Sequence, residues 1–230
     1  MKNRIELPHT FNQFLTQADR EYREQLMSLP LFDITKTSLW NKKQKKRFAE
    51  VFYHLRGHFV DFMWYVANFS SDVATKKLIL GNIMEEFGKD KFSHEKLYAF
   101  FASECGVDIN DEIVNETNYL PFAKKFNKGH LAWLSTHDEE ERIAAFAAYE
   151  RLDNIDYPYL TACAESLNIS SQGMTFFIVH SYVEHFSEVL EQLLPIWEHS
   201  PEKVRTAFDF IYSFQAQMWR QLSEEIFSLA

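Results

Sequence analysis

The sequence predicts an all-α protein folded as a single domain of seven or eight helices. Three observations carry this. Glycine and proline number only six each in 230 residues, so few positions break a helix. Apolar residues run in long segments bounded by capping or breaking residues, and the strict alternation of a strand is nearly absent. Hydrophobic residues make up 46% of the chain and 22 phenylalanines lead its aromatics, enough to fill one substantial core.

Taken in order, the first helix is expected over Phe11–Ser28, with Phe14, Tyr22 and Leu26 on a buried face and Leu29-Pro30 ending it. A long helix over Ser38–Phe69 follows. Its basic entry, NKKQKKR, reads as a solvated end, and its body is apolar nearly all round, which places it centrally. Ser70-Ser71-Asp72 supplies a cap for a helix over Val73–Phe87. Gly88 and the next few residues interrupt it before His94 opens another helix, and Asp108–Tyr119 reads as a loop with a short helix. Leu120–Ser135 is helical with Pro121 in its first turn. Thr136-His137-Asp138 with Glu139–Glu141 resembles a cap and acidic first turn for a helix reaching Leu167, expected to bend near Pro158. After a turn at Asn168–Gly173, one continuous helix is expected from Met174 to Trp197, and Pro201 starts the last.

Composition also excludes. The net charge of −9 argues against nucleic acid as a partner. No apolar run approaches the roughly 18 residues of a membrane span, and the N-terminus lacks the apolar core of a signal peptide, so a cytoplasmic address is expected. Cys105 and Cys163 lack CxxC spacing, and no disulfide is expected. From Leu152 to Glu202 there are eight acidic residues and no lysine or arginine. A buried carboxylate there must reach another segment, take up a proton or hold a metal, because an unpaired buried charge costs several kcal/mol.

The chemistry-bearing stretch is MTFFIVHSYVEHFSEVL, Met174–Leu190. His180 and Glu184, four apart, would share one face of an apolar helix. Glu85, His94 and Glu150 are candidate ligands on other segments; Glu150 follows the apolar run Ile143–Tyr149. Carboxylates mixed with imidazoles suit iron or manganese, whereas structural zinc favours thiolates. Glu86 reads as solvated, and His54 and His58 as pocket or packing residues because no carboxylate stands beside them on their helix face.

The order of these features resembles the haem-oxygenase-like, or TenA/PqqC-like, helical superfamily. FAEVFYHLRGHF is similar to its long second helix, MEEFG…H to its EExG…H segment, AAYE to its xAYE segment and FFIVHSYVE to its FFxxHxxxD segment. These matches run from about residue 48 to residue 184. They resemble in particular the diiron oxidase and oxygenase branch that includes the chlamydial protein associating with death domains and the decarboxylase UndA. By resemblance, Glu85, His94, Glu150, His180 and Glu184 take the metal positions, and Glu85 is preferred to Glu86 because it lies three before Gly88. The last histidine of the family segment is replaced by Ser187, with His185 as substitute only if the helix is locally bulged.

The resemblance implies an oxidoreductase holding two iron ions, or a manganese–iron pair, and taking dioxygen as co-substrate. Glu150 and Tyr149 are the expected catalytic residues, and Tyr22, His58 and Tyr157 are expected to line the pocket. Ser187 would leave one metal tight and the second weak. A metal-free enzyme of PqqC or thiamine-salvage type, using His and Glu as acid–base groups, and a non-enzymatic protein-binding module stay open. The partner expected is a small organic substrate, with no nucleic acid and no membrane; a homodimer and a host-protein partner also stay open.

Overall fold

A computed structural model describes residues 7–88 and 91–230. The first six residues, on which much of the leader argument rests, and Lys89-Asp90 in the glycine break lie outside the described residues. Among the described residues eleven α-helices and one 3-10 turn occur: α1 (His9–Met27), the turn Pro30–Phe32, α2 (Ile34–Thr37), α3 (Lys42–Asn68), α4 (Val73–Glu86), α5 (His94–Glu104), α6 (Ile109–Asn115), α7 (Pro121–Thr136), α8 (Glu139–Ser166), α9 (Thr175–Tyr182), α10 (Phe186–His199) and α11 (Pro201–Phe227). Seven or eight helices were expected. The higher count comes from the short helices α2 and α6, the latter inside the segment Asp108–Tyr119 expected to hold one, and from one break, because the expected helix from Met174 to Trp197 is divided into α9 and α10.

The long helices start where side chains satisfy their first backbone N–H groups. Asn41 and Gln44 form a capping box on α3, and Asp138 and Glu141 form another on α8. Asp72 accepts from the Thr75 N–H at the head of α4, and Ser93 from the Lys96 N–H at the head of α5. Pro121 opens α7, where its missing N–H costs nothing. Helix α8 carries on through Pro158 to Ser166.

Helix α8 is the axis of the fold: it packs along α11 and also against α9 and α10, while α3 packs against α4 and α7. Its run Ala144–Tyr149 is buried almost completely. The phenylalanines do the filling. Phe52 on α3 stacks on Phe48 and Phe177 and meets Trp219 of α11, and Phe177 sits edge-on to Phe101 of α5. This slab ties α3, α5, α9 and α11 together behind the residues that carry chemistry. Cys105 and Cys163 are buried free thiols. No described helix is long and apolar enough to cross a membrane.

The cation-free stretch resolves as its composition requires. Asp153 reaches across to Arg56 of α3, whose two terminal nitrogens each lie 3.3 Å from its oxygens. Asp156, 1% exposed, receives hydrogen bonds from Tyr22 (2.8 Å), Trp219 (2.9 Å) and Gln215 (3.0 Å). Tyr22 is thereby a core residue, not a pocket residue.

Candidate metal centre

Helix α4 ends on Glu86, α5 begins on His94, and the last turn of α9 carries His180. The loop between α4 and α5 is closed by Gly88 at φ +86°, a conformation open to glycine. A Cβ there would collide with the backbone of Lys91, Phe92 and Ser93. Gly88→Ala should therefore cost roughly 1–3 kcal/mol and displace His94. Urea denaturation together with an iron titration of the variant checks this; wild-type values in both would show that the turn does not position His94.

Glu86, His94 and His180 each turn one ligand atom inward, and these atoms all lie within 4.8 Å of one another. His94 Nδ1 is 3.0 Å from Glu86 Oε1 and His180 Nε2 is 4.0 Å from it. Yet neither imidazole nitrogen has a hydrogen-bond partner among the described residues, although both are buried. His94 Nδ1 and Glu86 Oε1 stand at ion-pair distance without an aligned hydrogen bond, and His180 Nε2 is left without a partner beside them. That is the arrangement a cation satisfies, since buried polar groups otherwise find partners. Two imidazoles with one carboxylate are also the donor set that non-haem Fe(II) enzymes use.

The surroundings prepare each group. His180 Nδ1 donates to the Phe176 carbonyl at 2.7 Å, which fixes the tautomer and leaves Nε2 as a lone pair. Its ring lies on Tyr157, with centroids 4.4 Å apart and planes within 15°. Burial, aided by His94, lowers the His180 pKa to about 3, so the ring is neutral and able to ligate. For Glu86 burial acts upward, but His94 beside it, with His180 and Arg56, outweighs burial and holds it at about 2. The Arg56 guanidinium lies over Tyr157 at 5.1 Å, so one cation serves Asp153 and braces the ring behind His180.

Two spaces adjoin the triad. One is an open pocket of about 160 Å³ lined by Tyr53, Phe87, Tyr98 and Phe176 together with the triad. The other is a cavity of about 30 Å³, room for one water or ion, lined by Glu85, Glu150, Asp153 and His185 as well as the triad. Glu150 is 3% exposed and accepts from Asn82 at 2.9 Å. Burial, then Asp153 close by, raises its pKa well above the ordinary value. Burial thus favours its protonated form.

The expected ligands thus divide. His94 and His180 meet Glu86, which had read as solvated, while Glu85 is about half exposed and reaches His185 at 3.4 Å. Glu150 faces the small cavity. Glu184 is not brought to the site, because the helix is interrupted between Tyr182 and Phe186. Asn154 of α8 takes the Val183 carbonyl at 2.8 Å, and the Glu184 carboxylate accepts from the Ser187 N–H at 3.0 Å, at the start of α10. The seven-residue spacing from His180 to Ser187 therefore does not return to one face, and Ser187 is exposed. The same break turns His185 into the cavity.

Tyr157 backs His180 instead of lining the open pocket, and its hydroxyl is buried without a hydrogen-bond partner among the described residues. Tyr149 packs on Phe59 at 4.4 Å and lines neither space. His58 lies away from the triad beside His130, with centroids 5.7 Å apart, and its neighbour His54 pairs with Glu112 of α6 at 2.8 Å. The carboxylate that pairs with His54 thus comes from another helix, although Glu50 stands four residues before it on α3. Sequence reasoning passed over Glu86, Arg56, Asn82 and Asp153. A trace of Asp153 was present: it stands three residues after Glu150, on the same face of α8, inside the stretch without cations.

The pattern of a protein family described as iron-containing redox enzyme matches residues 46–212. No curated protein matches the sequence. Among solved structures, a domain of unknown function with a heme oxygenase-like fold from Shewanella denitrificans superposes with a TM-score of 0.74 at 18% identity, over 94% of this chain and 92% of that one. A CADD-like protein of unknown function from Nostoc punctiforme gives a TM-score of 0.72 at 16% identity, over 96% of this chain and 97% of that one. At such identities these likenesses establish the heme oxygenase-like fold.

Proposed function

The chain belongs to the iron-containing redox enzyme family, and from that premise we propose that it is a non-haem diiron, or manganese–iron, oxidase or oxygenase acting on a small organic substrate. The observation that carries this reading is the convergence of Glu86, His94 and His180 with both inward imidazole nitrogens lacking hydrogen-bond partners. These three residues would hold the first ion. Glu150, Asp153 and His185, with Glu85 at the rim, offer ligand atoms to a second ion in the adjoining cavity.

Bound metal would supply the activation of dioxygen. The chain supplies the rest. The Phe176 carbonyl and the Tyr157 ring hold His180 in one tautomer and one plane. Arg56 offsets part of the negative charge of Asp153 and Glu86, so the carboxylates can stay together before a cation enters. Asn82 donates to Glu150 Oε1, and a cation in the adjoining cavity would favour loss of the proton that burial helps this carboxyl retain. The aromatic walls of the open pocket keep water from the reacting face of the substrate.

Anaerobic loading with Fe(II), desalting and elemental analysis tests the reading. Retained iron, proton release on uptake, and an optical change on admitting dioxygen are expected. A chain that keeps neither iron nor manganese would sink it.

A further inference from the structure

We infer that the outward face of α4 joins two copies of this chain as an antiparallel pair of helices, with Lys77 of each copy set against Glu85 of the other across a two-fold axis at Gly81. The inference stands apart from the metal reading. It starts from a helix that is apolar on both sides. Ile79 and Ile83 are buried against the bundle, whereas Val73, Leu80, Met84 and Phe87, the last just past the helix end, are 62%, 40%, 49% and 58% exposed. Spacings of seven, four and three residues keep these four on one stripe. A helix that is apolar all round is one that is covered all round, and the chain itself covers only the inner side. Exposed apolar side chains that stand singly need no partner, but a continuous stripe marks an interaction surface.

Charge then selects the occupant. Lys77, Gly81 and Glu85 follow one another at intervals of four, so they form a row beside the apolar stripe, and all three are exposed. The row is basic at one end and acidic at the other. A second copy lying antiparallel across Gly81 brings residues equally distant from Gly81 opposite one another. Lys77 then meets Glu85 twice, once on each side of the axis, and Met84 meets the partly buried Leu78. A parallel copy would set lysine against lysine and glutamate against glutamate. A Cβ built on Gly81 meets nothing within 4 Å, so the space over the axis is open to a second helix. The face complements itself in one orientation, as a contact between identical surfaces requires.

The contact reaches the candidate metal centre. Glu85 Oε2 stands 3.4 Å from His185 Nε2 at the rim of the small cavity that Glu150 and Asp153 also line. Lys77 of the other copy brings an ammonium group to that rim, so each copy contributes a charge to the mouth of the other's cavity. One helix face is a small interface, and association is therefore expected to depend on concentration.

Light scattering coupled to size exclusion, on the full chain from about 1 to about 100 μM, is the experiment. A mass rising from monomer to dimer is expected, and Leu80→Glu should hold it at the monomer throughout. Lys77→Glu and Glu85→Lys, each alone, set like charges opposite one another at both contacts and should weaken association at least about tenfold. Mixed in equal amounts, these two variants regain both opposite-charge pairs, so dimers should return. Circular dichroism checks that the variants are folded, and the charge-reversal mixture decides the matter even where Leu80→Glu is not. A wild-type chain that is monomeric at every concentration, a dimer that survives Leu80→Glu, charge variants that associate as the wild type does, or variants that stay monomeric after mixing would each overturn the proposal.

Discussion

His180→Ala and Glu86→Ala are each expected to strip tightly held iron from the chain, while Glu85→Ala is expected to keep it. The two glutamates are adjacent in sequence, but α4 ends between their roles. Glu86 lies against His94 at 3.0 Å, whereas Glu85 is about half exposed and meets only His185 among the inward histidines, at 3.4 Å. Changing a group that merely orients a ligand costs about 10–100-fold in metal affinity, so deleting a ligand from a set of three should cost at least about 100-fold. His180→Ala also removes the ring stacked on Tyr157, a loss of roughly 1–3 kcal/mol in stability that leaves the helical bundle folded. Anaerobic Fe(II) titration with circular dichroism on all three variants is the measurement. If Glu85→Ala loses iron and Glu86→Ala does not, the triad is wrongly drawn and the ligand is the one the sequence spacing favoured.

That reversal of neighbours shows where sequence reasoning stops. The all-α class was legible because few glycines and prolines punctuate long apolar segments, and the cap segments Ser70-Ser71-Asp72 and Thr136-His137-Asp138 were legible because capping is local chemistry, with the structure singling out Asp72 and Asp138 within them. His180 was legible as a ligating side chain in an apolar segment, and His94 by its place just after the glycine break. Whether Glu85 or Glu86 turns inward depends on where α4 stops and how the Gly88 turn is wound, and a shift of one residue rotates a side chain by about 100°. The break after Tyr182 was illegible for a different reason. No proline or glycine marks it; it is held by tertiary contact from Asn154 and by the carboxylate of Glu184 at the next helix head. Glu184 thus had an apolar-face periodicity that suggested a ligand, and a local capping opportunity that competes with it. Arg56 and Asp153 lie 97 positions apart, and nothing in local pattern pairs them.

Asp156 should make the protein lose stability as pH rises from about 4 to about 7. Burial pushes its carboxyl up, the hydrogen bonds from Gln215, Trp219 and Tyr22 pull it down, and the balance places it at about 7 against an ordinary 3.8. The folded state therefore binds this proton more tightly than the unfolded chain. Below about pH 4 both states hold it and the contribution is complete. Between about 4 and 7 the unfolded chain has released the proton and the folded one has not, so stability falls with rising pH until both are ionised. The interval corresponds to about 4 kcal/mol, large against the 5–15 kcal/mol typical of a domain. Asp156→Asn removes the titration but keeps one acceptor oxygen, so it should lose a hydrogen bond near pH 4 and recover relative to wild type by about 4 kcal/mol near pH 8. Taking the difference between the two proteins cancels the other acids. Urea denaturation of both at pH 4, 6 and 8 measures it, and parallel stability curves would show that the three donors overcome burial and keep Asp156 ionised throughout.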